Sequence, residues 1–217
     1  MLYTLYKHSV DISEDLTHLG LIPNKNNDPA NIIVKTRYYN KKKQDFLDNQ
    51  FHLTPDYGFY YRENIGLFEF KHGKVIEANS EGKIDASFIQ TLLNFPFACI
   101  FAQNGFLPIH ASAVRFREKT ILFPGISKQG KSSLVASLIK NGGKLITEDI
   151  ALFVFANNEA KIVPSYPLIK LSDEANKAIT FSTEDPFKLT KSELNRSLYK
   201  IDKKDFYGEE SKIDLVI

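Results

Sequence analysis

A stretch near the middle of the chain has the residue types and the spacing of a phosphate-binding loop. Its residues, in order, are Gly125, Ile126, Ser127, Lys128, Gln129, Gly130, Lys131 and Ser132. They fit the pattern of Gly, four residues, Gly, Lys and Ser or Thr, in which glycines let backbone N–H groups close around phosphate oxygens. The lysine supplies a positive charge, and the final hydroxyl is a ligand for Mg²⁺. This glycine loop (residues 125–132), with Ser133 beside it, predicts a site for ATP or another nucleoside triphosphate.

The segments on either side of the glycine loop have the composition that phosphate binding requires. Residues 120–123 are a short apolar run of strand formers, and Pro124 ends it. Apolar residues between Leu134 and Ile139 recur at helical spacing, and Asn-Gly-Gly at 141–143 favours a helix end. A strand, a loop and a helix in this order aim free N–H groups and the positive end of the helix dipole at an anion. The alternative is a surface turn rich in glycine and lysine.

A pair of acids follows the next predicted strand. Residues 144–147 are predicted to be a strand, and Glu148 and Asp149 come directly after it. In mononucleotide-binding folds an acid at the end of a strand beside the phosphate loop reaches Mg²⁺ directly or through water. A carboxylate there can also take the proton of an attacking hydroxyl. We therefore expect Ser132 and Asp149 to hold Mg²⁺, and either Glu148 or Asp149 to accept the proton. The alternative is a turn with two solvated acids.

Composition and charge exclude several classes of protein. The chain has 217 residues, of which 43% are hydrophobic, and this is enough for an ordinary core. Its 28 basic and 26 acidic residues leave a net charge of +2, which does not indicate binding to nucleic acid or to a membrane surface. The one cysteine, Cys99, cannot form an internal disulfide and is expected to be buried and inert. No stretch reaches the length of a membrane span and no signal peptide is evident, so we expect a cytoplasmic protein.

The first part of the chain, residues 1–84, is predicted to be a small antiparallel β region. Its strand formers are separated by polar segments rich in turn residues. They cluster at residues 2–6, 31–39, 66–70 and 74–78, and the last two clusters form the clearest hairpin.

A change to small polar residues at 79–82 marks a predicted domain boundary. Residues 85–217 are then expected to form the catalytic domain. Asp85 is a plausible N-cap for an apolar helix that continues to about Gln103. Pro96 should kink or divide this helix, because proline lacks the N–H that the helix interior needs.

The rest of the catalytic domain mixes strands and helices, which places the chain in the α/β class with an α+β tendency. Ser172 is predicted to cap a helix because its hydroxyl precedes two acids. The predicted strands are residues 107–114, a hairpin of 150–155 with 160–163, and a terminal strand at 212–217, and the predicted helix after Ser172 is 173–179.

His110, the glycine loop and residues 145–149, taken together, resemble the HPr serine kinase/phosphorylase family. In that family a strand carries a histidine followed by a small residue, and then come a hairpin, the phosphate loop, its helix with a glycine near the end, and a strand that closes on two acids. This chain has the same features in the same order. It is most similar to the HPr-kinase-like proteins found with peptide biosynthesis genes, including the lasso peptide kinases. The resemblance covers residue 55 to the end well and the N-terminal region loosely.

The resemblance implies a P-loop catalytic core with a mixed sheet, of the kind shared by HPr kinases and PEP carboxykinases. It implies Mg²⁺-dependent transfer of phosphate from ATP to a serine hydroxyl of a peptide or small protein, such as a lasso or other ribosomal precursor peptide. His110, Lys131, Glu148 and Asp149 would be the catalytic residues, and relatives commonly form homo-oligomers. From the residues alone, a single histidine after an apolar strand is more often a hydrogen-bonded core residue.

Departures from the family's pattern leave other functions open. Lys128 stands where the family commonly has glycine, Glu148 replaces the first of two aspartates, and Ser133 replaces the Glu of HPr kinases or the Thr of the peptide-kinase relatives. One alternative is a nucleotide-binding regulator without catalysis. Another is a reversible kinase/phosphorylase that also removes phosphate from phosphoserine at the same site.

Overall fold

The computed structural model describes residues 1–17, 21, 23–25, 29–38, 46–126, 129–156, 158–182, 186–189 and 195–217. Ser127 and Lys128 of the glycine loop lie outside these residues. Within the described residues the chain is mostly β-structure with a few helices. The helices are α1 (Ala86–Leu93), α2 (Phe95–Gln103), α3 (Lys131–Lys140) and α4 (Asp173–Ile179), with a short 3-10 helix at Lys203–Asp205. The strands are β1 (Leu2–Leu5), β2 (His8–Ile12), β3 (Ile32–Tyr38), β4 (Phe51–Leu53), β5 (Tyr57–Arg62), β6 (Gly66–Lys71), β7 (Val75–Ser80), β8 (Leu107–Phe116), β9 (Lys119–Pro124), β10 (Lys144–Thr147), β11 (Ile150–Ala156), β12 (Glu159–Val163), β13 (Leu168–Ser172), β14 (Phe187–Lys188), β15 (Arg196–Lys200), β16 (Ser211–Lys212) and β17 (Leu215–Val216).

The N-terminal sheet has seven strands in the order β1-β2-β3-β7-β6-β5-β4. The predicted strands and the hairpin of β6 with β7 are confirmed, but the expectation of an antiparallel region is wrong. Strand β3 is parallel to both of its neighbours, β2 and β7. Parallel pairing needs a long connection, and long segments separate β2 from β3 and β3 from β7. The alternation of apolar and polar residues in the sequence identifies strands, but the connections determine whether neighbouring strands run parallel or antiparallel.

Helices α1 and α2 cover this sheet and meet at Asn94. The Asp85 carboxylate accepts hydrogen bonds from the N–H groups of Ser87 and Phe88, so the predicted N-cap is confirmed. Pro96 lies in the first turn of α2, where its missing N–H costs nothing. The predicted division of the helix is therefore confirmed, with the break two residues before the proline.

The segment Ala86–Gln103 also corrects the expectation that no stretch reaches the length of a membrane span. It has 18 residues and a mean hydropathy of 1.2, enough for a span by length and composition alone. However, 61% of it is buried inside the protein, and the break at Asn94 makes it two helices. Cys99, on α2, is buried as expected, and burial raises the pKa of its thiol to about 12.

A second sheet carries the glycine loop and has the order β16-β12-β11-β8-β9-β17, with β10 also paired to β8. It is mixed, as expected, because β17 runs parallel to β9 while the other pairs are antiparallel. The predicted terminal strand is instead two short strands at opposite edges of this sheet. Two residues separate β16 from β17, so the two edges of this sheet must lie close together. The hydroxyls of Thr120 on β9 and Ser211 on β16 hydrogen bond to each other.

Helix α3 packs against β8 and β13 and buries Val135, Ala136 and Ile139. Leu134, which was expected in the apolar stripe, is 45% exposed because it lies on the outer side of the helix. Next to α3, strands β13, β15 and β14 form a third, three-stranded sheet. The Ser172 hydroxyl caps α4 by accepting a hydrogen bond from the Ala175 N–H, as predicted.

One hydrophobic core joins the N-terminal sheet to the rest of the chain. It contains side chains of the N-terminal strands, α1 and α2 together with Ile150 and Leu152 of β11. Two smaller clusters lie under α3 and on the other face of β8. The domain boundary at residues 84 and 85 stays a prediction.

Candidate active site

Glu148 and Asp149 form the two-residue link between β10 and β11, and both strands pair with β8. In this register His110 lies opposite Ile150, and Ala113 lies opposite Thr147. The link between β10 and β11 therefore runs alongside β8 next to His110. The topology of the sheet thus brings together a histidine and two acids that are far apart in the sequence.

The backbone at Asp149 is strained. Its φ is 63°, in the left-handed region, and the Ile150 N–H donates to the Glu148 carbonyl at 2.8 Å, so Asp149 is the central residue of a γ-turn. Aspartate tolerates this region better than most residues. The turn aims the Asp149 carbonyl at β8, where it accepts bonds from His110 Nδ1 at 2.8 Å and from the Ala111 N–H at 3.1 Å. Strain of this kind clusters at functional sites.

Two contacts of His110 indicate which ring nitrogen carries the proton. Nδ1 faces the carbonyl oxygen of Asp149, which can only accept, so Nδ1 must carry a hydrogen. Nε2 lies 3.3 Å from Lys131 Nζ, an ammonium that can only donate, so Nε2 accepts. The contacts therefore assign His110 as the neutral tautomer with its hydrogen on Nδ1.

Two carbonyl groups at the start of the glycine loop contact the Lys131 ammonium. Lys131 Nζ donates to the carbonyl oxygens of Gly125 at 2.7 Å and Ile126 at 2.8 Å. Gly130, with a φ of 85°, is the N-cap of α3, a backbone conformation that glycine adopts readily. It has no side chain to cap the helix, and the first turn of α3 holds no acid. The free N–H groups at this helix start can therefore bind an anion.

Ser132 and Glu148 form the second contact between the loop and the acids. The Ser132 hydroxyl donates to Glu148 Oε1 at 2.6 Å. Glu148 is only 5% exposed. Burial, and next the negative charge of Asp149, raises the pKa of Glu148 to about 8. A buried carboxylate in this position lacks a full counter-charge.

The oxygens of Ser132 and Glu148 fit a magnesium ion that arrives with a nucleotide. Mg²⁺ prefers oxygen ligands, and in nucleotide sites it usually takes one or two from the protein and the rest from phosphates and water. Among the residues that the structure describes, no group of three or more His, Cys, Asp or Glu side chains could hold a metal ion by itself. The donor set therefore matches a metal–nucleotide complex better than a metal site made by protein alone.

Asp149 pairs with Lys170 of β13. Lys170 Nζ lies 2.8 Å from Asp149 Oδ2, and the two side chains are only 8% and 12% exposed. The side-chain amide of Asn94, at the break between α1 and α2, donates to the same oxygen at 2.9 Å. Burial alone would raise the pKa of Asp149, but the charge and hydrogen bond of Lys170 outweigh it and hold that pKa below its ordinary value.

Two cavities meet at His110, Asp149 and Lys170, which line both of them. The first, the loop-side cavity, measures about 380 Å³ and lies against the start of α3. The second, the helix-side cavity, measures about 280 Å³ and lies against β5, α1 and α2. The loop-side cavity also contains Arg196 of β15 and Glu174 of α4. The helix-side cavity also contains Arg62, Gln90 and Phe95.

The structure brings most of the predicted site residues together. His110, Lys131, Gly130, Ser132, Ser133 and Asp149 line the loop-side cavity, Glu148 lies behind Ser132, and Gln129 lies close to Gly125. The predicted Mg²⁺ pair, Ser132 with Asp149, is arranged differently, since Glu148 is the acid in contact with Ser132. Ile126 contributes its carbonyl while its side chain is 73% exposed.

Sequence reasoning missed Lys170, Asn94, Arg196 and the residues of β5. For Lys170 a signal was present, because it is the one charged residue in the apolar run 168–171. A lysine in a buried strand needs a counter-charge. For the others the sequence shows ordinary residues, and only the fold brings them to the site.

Comparisons with known proteins add little to this description of the site. No family model matches the chain, and no curated protein is significantly similar to it. One solved structure with a similar part is that of the Hpr(Ser) kinase/phosphatase from Coxiella burnetii. The two chains are 17% identical, the match covers 51% of this chain and 63% of that one, and the TM-score is 0.33. The match thus spans less than two thirds of that protein, and a score this low carries no functional argument.

Proposed function

We propose that this protein transfers the terminal phosphoryl group of ATP, or of another nucleoside triphosphate, to a serine hydroxyl of a peptide or small protein. The observation that carries the proposal is that His110, Asp149 and Lys170 line two cavities at once. Phosphoryl transfer requires a donor and an acceptor to meet at one point, and catalysis is then mostly positioning and charge stabilisation. A nucleotide-binding module would need only the loop-side cavity, whereas a transferase would use both cavities.

The loop-side cavity suits the triphosphate. It is lined by the cations Lys131, Lys170 and Arg196, which outnumber the acids Asp149 and Glu174. The start of α3 adds free N–H groups and the positive end of the helix dipole. Lys131 now donates to loop carbonyls, and a phosphate oxygen offers the same ammonium a charged acceptor, which makes the stronger hydrogen bond.

Ser132 and Glu148 would hold the Mg²⁺ of the metal–nucleotide complex. This assignment replaces Asp149 with Glu148, because Glu148 is the acid that contacts the Ser132 hydroxyl. Bound there, the ion would supply positive charge to the oxygens of the transferred phosphate. The raised pKa of Glu148 fits this role, since an uncompensated buried carboxylate favours a cation.

The transfer itself would take place between the two cavities. The acceptor hydroxyl oxygen attacks the γ-phosphorus, a new O–P bond forms, and the bond from that phosphorus to the β,γ-bridging oxygen breaks with its electron pair leaving on the nucleoside diphosphate. Asp149, which lines both cavities, would take the hydroxyl proton, and Lys170 and Asn94 would hold its carboxylate in place. His110 would orient the Lys131 ammonium through Nε2.

One observation favours the second candidate function, a nucleotide-binding regulator without transfer. The Asp149 carboxylate is already held by Lys170 and Asn94, and its lowered pKa makes it a weak proton acceptor. Phosphoryl transfer through a loose transition state does not need a strong proton acceptor, so we rank the regulator second. A reversible kinase/phosphorylase would use the same residues and would release pyrophosphate from a phosphopeptide in the presence of inorganic phosphate.

The test is incubation of the purified protein with ATP, Mg²⁺ and a pool of serine-containing peptides, followed by measurement of ADP and mass spectrometry of the peptides. We expect ADP formation that requires Mg²⁺ and peptide, and phosphate on serine. Lys131→Ala should abolish both while the thermal midpoint stays the same. Lys144→Ala, an exposed lysine at the other end of β10 from Glu148, is the matched control and should remain active.

Two outcomes would count against this proposal. Stabilisation by Mg²⁺ and nucleotide without any ADP formation would favour the regulator. Full activity in Lys131→Ala would overturn the proposed role of the glycine loop.

A further inference from the structure

The outer part of the helix-side cavity is built from elements that do not line the loop-side cavity. Its outer wall comes from β5 of the N-terminal sheet and from the facing ends of α1 and α2. Its inner wall is the group of His110, Asp149 and Lys170 that it shares with the loop-side cavity. A molecule in this cavity would therefore reach Asp149 from the side opposite the glycine loop.

One side of the helix-side cavity is aromatic and continues to the protein surface. The rings of Tyr60 and Phe95 lie 4.7 Å apart, and Phe95 lies 5.3 Å from the ring of Phe51. Tyr60 is 7% exposed, whereas Phe51 is 59% exposed. Aromatic surface with amides beside it, here from Gln90 and Asn94, suits a peptide segment rather than a small ion.

The charge of the helix-side cavity is set by Arg62. The ionisable groups that line it besides tyrosine are Arg62, His110, Asp149 and Lys170. Lys170 and Asp149 offset one another at 2.8 Å, and the contacts of His110 assign it as neutral. Among the described lining residues, this leaves one positive charge, on the Arg62 guanidinium beside Tyr60 at the cavity wall.

We infer that the helix-side cavity binds the acceptor as a peptide segment with a carboxylate on a residue adjacent to the phosphorylated serine, and that Arg62 selects for this carboxylate. The inference rests on the proposed function and adds to it the class of acceptor and the residue that recognises it. Arginine pairs with carboxylates through two parallel hydrogen bonds, which gives both affinity and orientation. Arg62 and Asp149 line the same cavity of about 280 Å³, so we place the carboxylate at Arg62 and the hydroxyl at Asp149 on neighbouring residues of the acceptor.

The test compares two peptides that are identical except at the residue beside the serine, Asp in one and Asn in the other, both with blocked termini. For the wild-type protein we expect a KM about 10-fold lower for the Ser-Asp peptide, in the range of one charge-assisted hydrogen-bonded pair. Arg62→Met should raise the KM for Ser-Asp to that for Ser-Asn and change kcat much less. Arg62→Glu should shift the preference to a Ser-Lys peptide.

The matched control is Arg37→Met, on the exposed part of β3 in the same sheet, which should keep the wild-type preference. Thermal midpoints with and without Mg²⁺ and ADP report whether each variant is folded and still binds nucleotide. If Arg62→Met does not fold, Gln90→Glu offers a second approach, because an added negative charge in the cavity should raise the KM for Ser-Asp.

Failure of the inference is distinguishable from failure of the proposed function. Equal KM values for the two peptides in the wild type, or an unchanged preference in folded Arg62→Met, would overturn acceptor selection by Arg62 while transfer itself stands. Absence of transfer to every peptide would overturn both.

Discussion

Lys170 and Asp149 form a buried ion pair in which the ammonium nitrogen lies 2.8 Å from carboxylate oxygen Oδ2. Lys170 belongs to the third sheet and Asp149 to the link between β10 and β11, so the pair ties two sheets together at the point where the cavities meet. Removing two charges from water costs several kcal/mol each, and such pairs seldom add net stability. The pair is therefore better explained as a device that holds the Asp149 carboxylate in one position.

Replacement of Lys170 should destabilise the protein strongly. Lys170→Met keeps much of the side-chain volume but leaves the Asp149 carboxylate buried without its counter-charge, which typically costs about 3–5 kcal/mol. We expect the free energy of unfolding at pH 7, measured with urea, to fall by an amount in this range. Lys212→Met, which breaks a surface pair with Glu159 at 2.6 Å, is the control and should leave it nearly unchanged. Equal effects of the two substitutions would show that Lys170 is not balancing a buried charge.

The local parts of this structure could be predicted from the sequence because local chemistry determines them. Asp85 and Ser172 are caps, Pro96 sits beside a helix break, and glycines frame the loop before α3, and each of these depends on residues within a few positions. The same holds for the hairpin of β6 with β7.

What could not be predicted depends on contacts between distant segments. The parallel pairing of β3 follows from long connections, and the ion pair of Lys170 with Asp149 follows from the docking of the third sheet. The pairing of Ser132 with Glu148 has a similar origin, because two adjacent acids look equivalent in a sequence. The γ-turn at Asp149 sends their side chains in different directions.

Stability should fall as pH rises across neutrality, and Glu148 should be the cause. Its pKa is raised to about 8 in the folded protein from an ordinary value of 4.5. Between these values the folded state holds a proton that the unfolded state has released, so this contribution to stability is present at low pH and is lost as pH rises toward 8. Asp149 has a lowered pKa and acts in the opposite sense, but only below its ordinary value of 3.8.

Glu148→Gln tests this, because glutamine cannot ionise. We expect the free energy of unfolding of the variant to decline less between pH 5 and pH 8 than that of the wild type, by up to about 1.4 kcal/mol per pH unit for one proton. Glu118→Gln, whose side chain is 93% exposed, should keep the wild-type slope. Parallel curves for Glu148→Gln and wild type would show that Glu148 titrates normally.

Ser132 should determine how much Mg²⁺ the nucleotide complex requires. Its hydroxyl lies 2.6 Å from the Glu148 carboxylate, and together they offer the oxygens for the ion. Ser132→Ala removes one of them, so the Mg²⁺ concentration that gives half of the nucleotide-dependent rise in thermal midpoint should increase about 10-fold or more. Ser137→Ala, later on the same helix, should behave as the wild type. If both variants respond to Mg²⁺ alike, the metal is held elsewhere.

The strained turn at Asp149 leads to a prediction in which glycine is preferred to alanine. At most positions alanine is the more stabilising of the two, since it loses less backbone entropy on folding. Asp149 has a φ of 63°, a region that costs an alanine about 1–2 kcal/mol and costs glycine little. Both substitutions remove the carboxylate, so the difference between them reports the backbone and one buried methyl group. We therefore expect Asp149→Gly to have the higher free energy of unfolding, while the reverse order should hold for Lys177→Gly and Lys177→Ala in α4. Asp149→Ala at least as stable as Asp149→Gly would mean that the turn relaxes once the carboxylate is gone, and that Lys170 and Asn94 hold the backbone in its strained form.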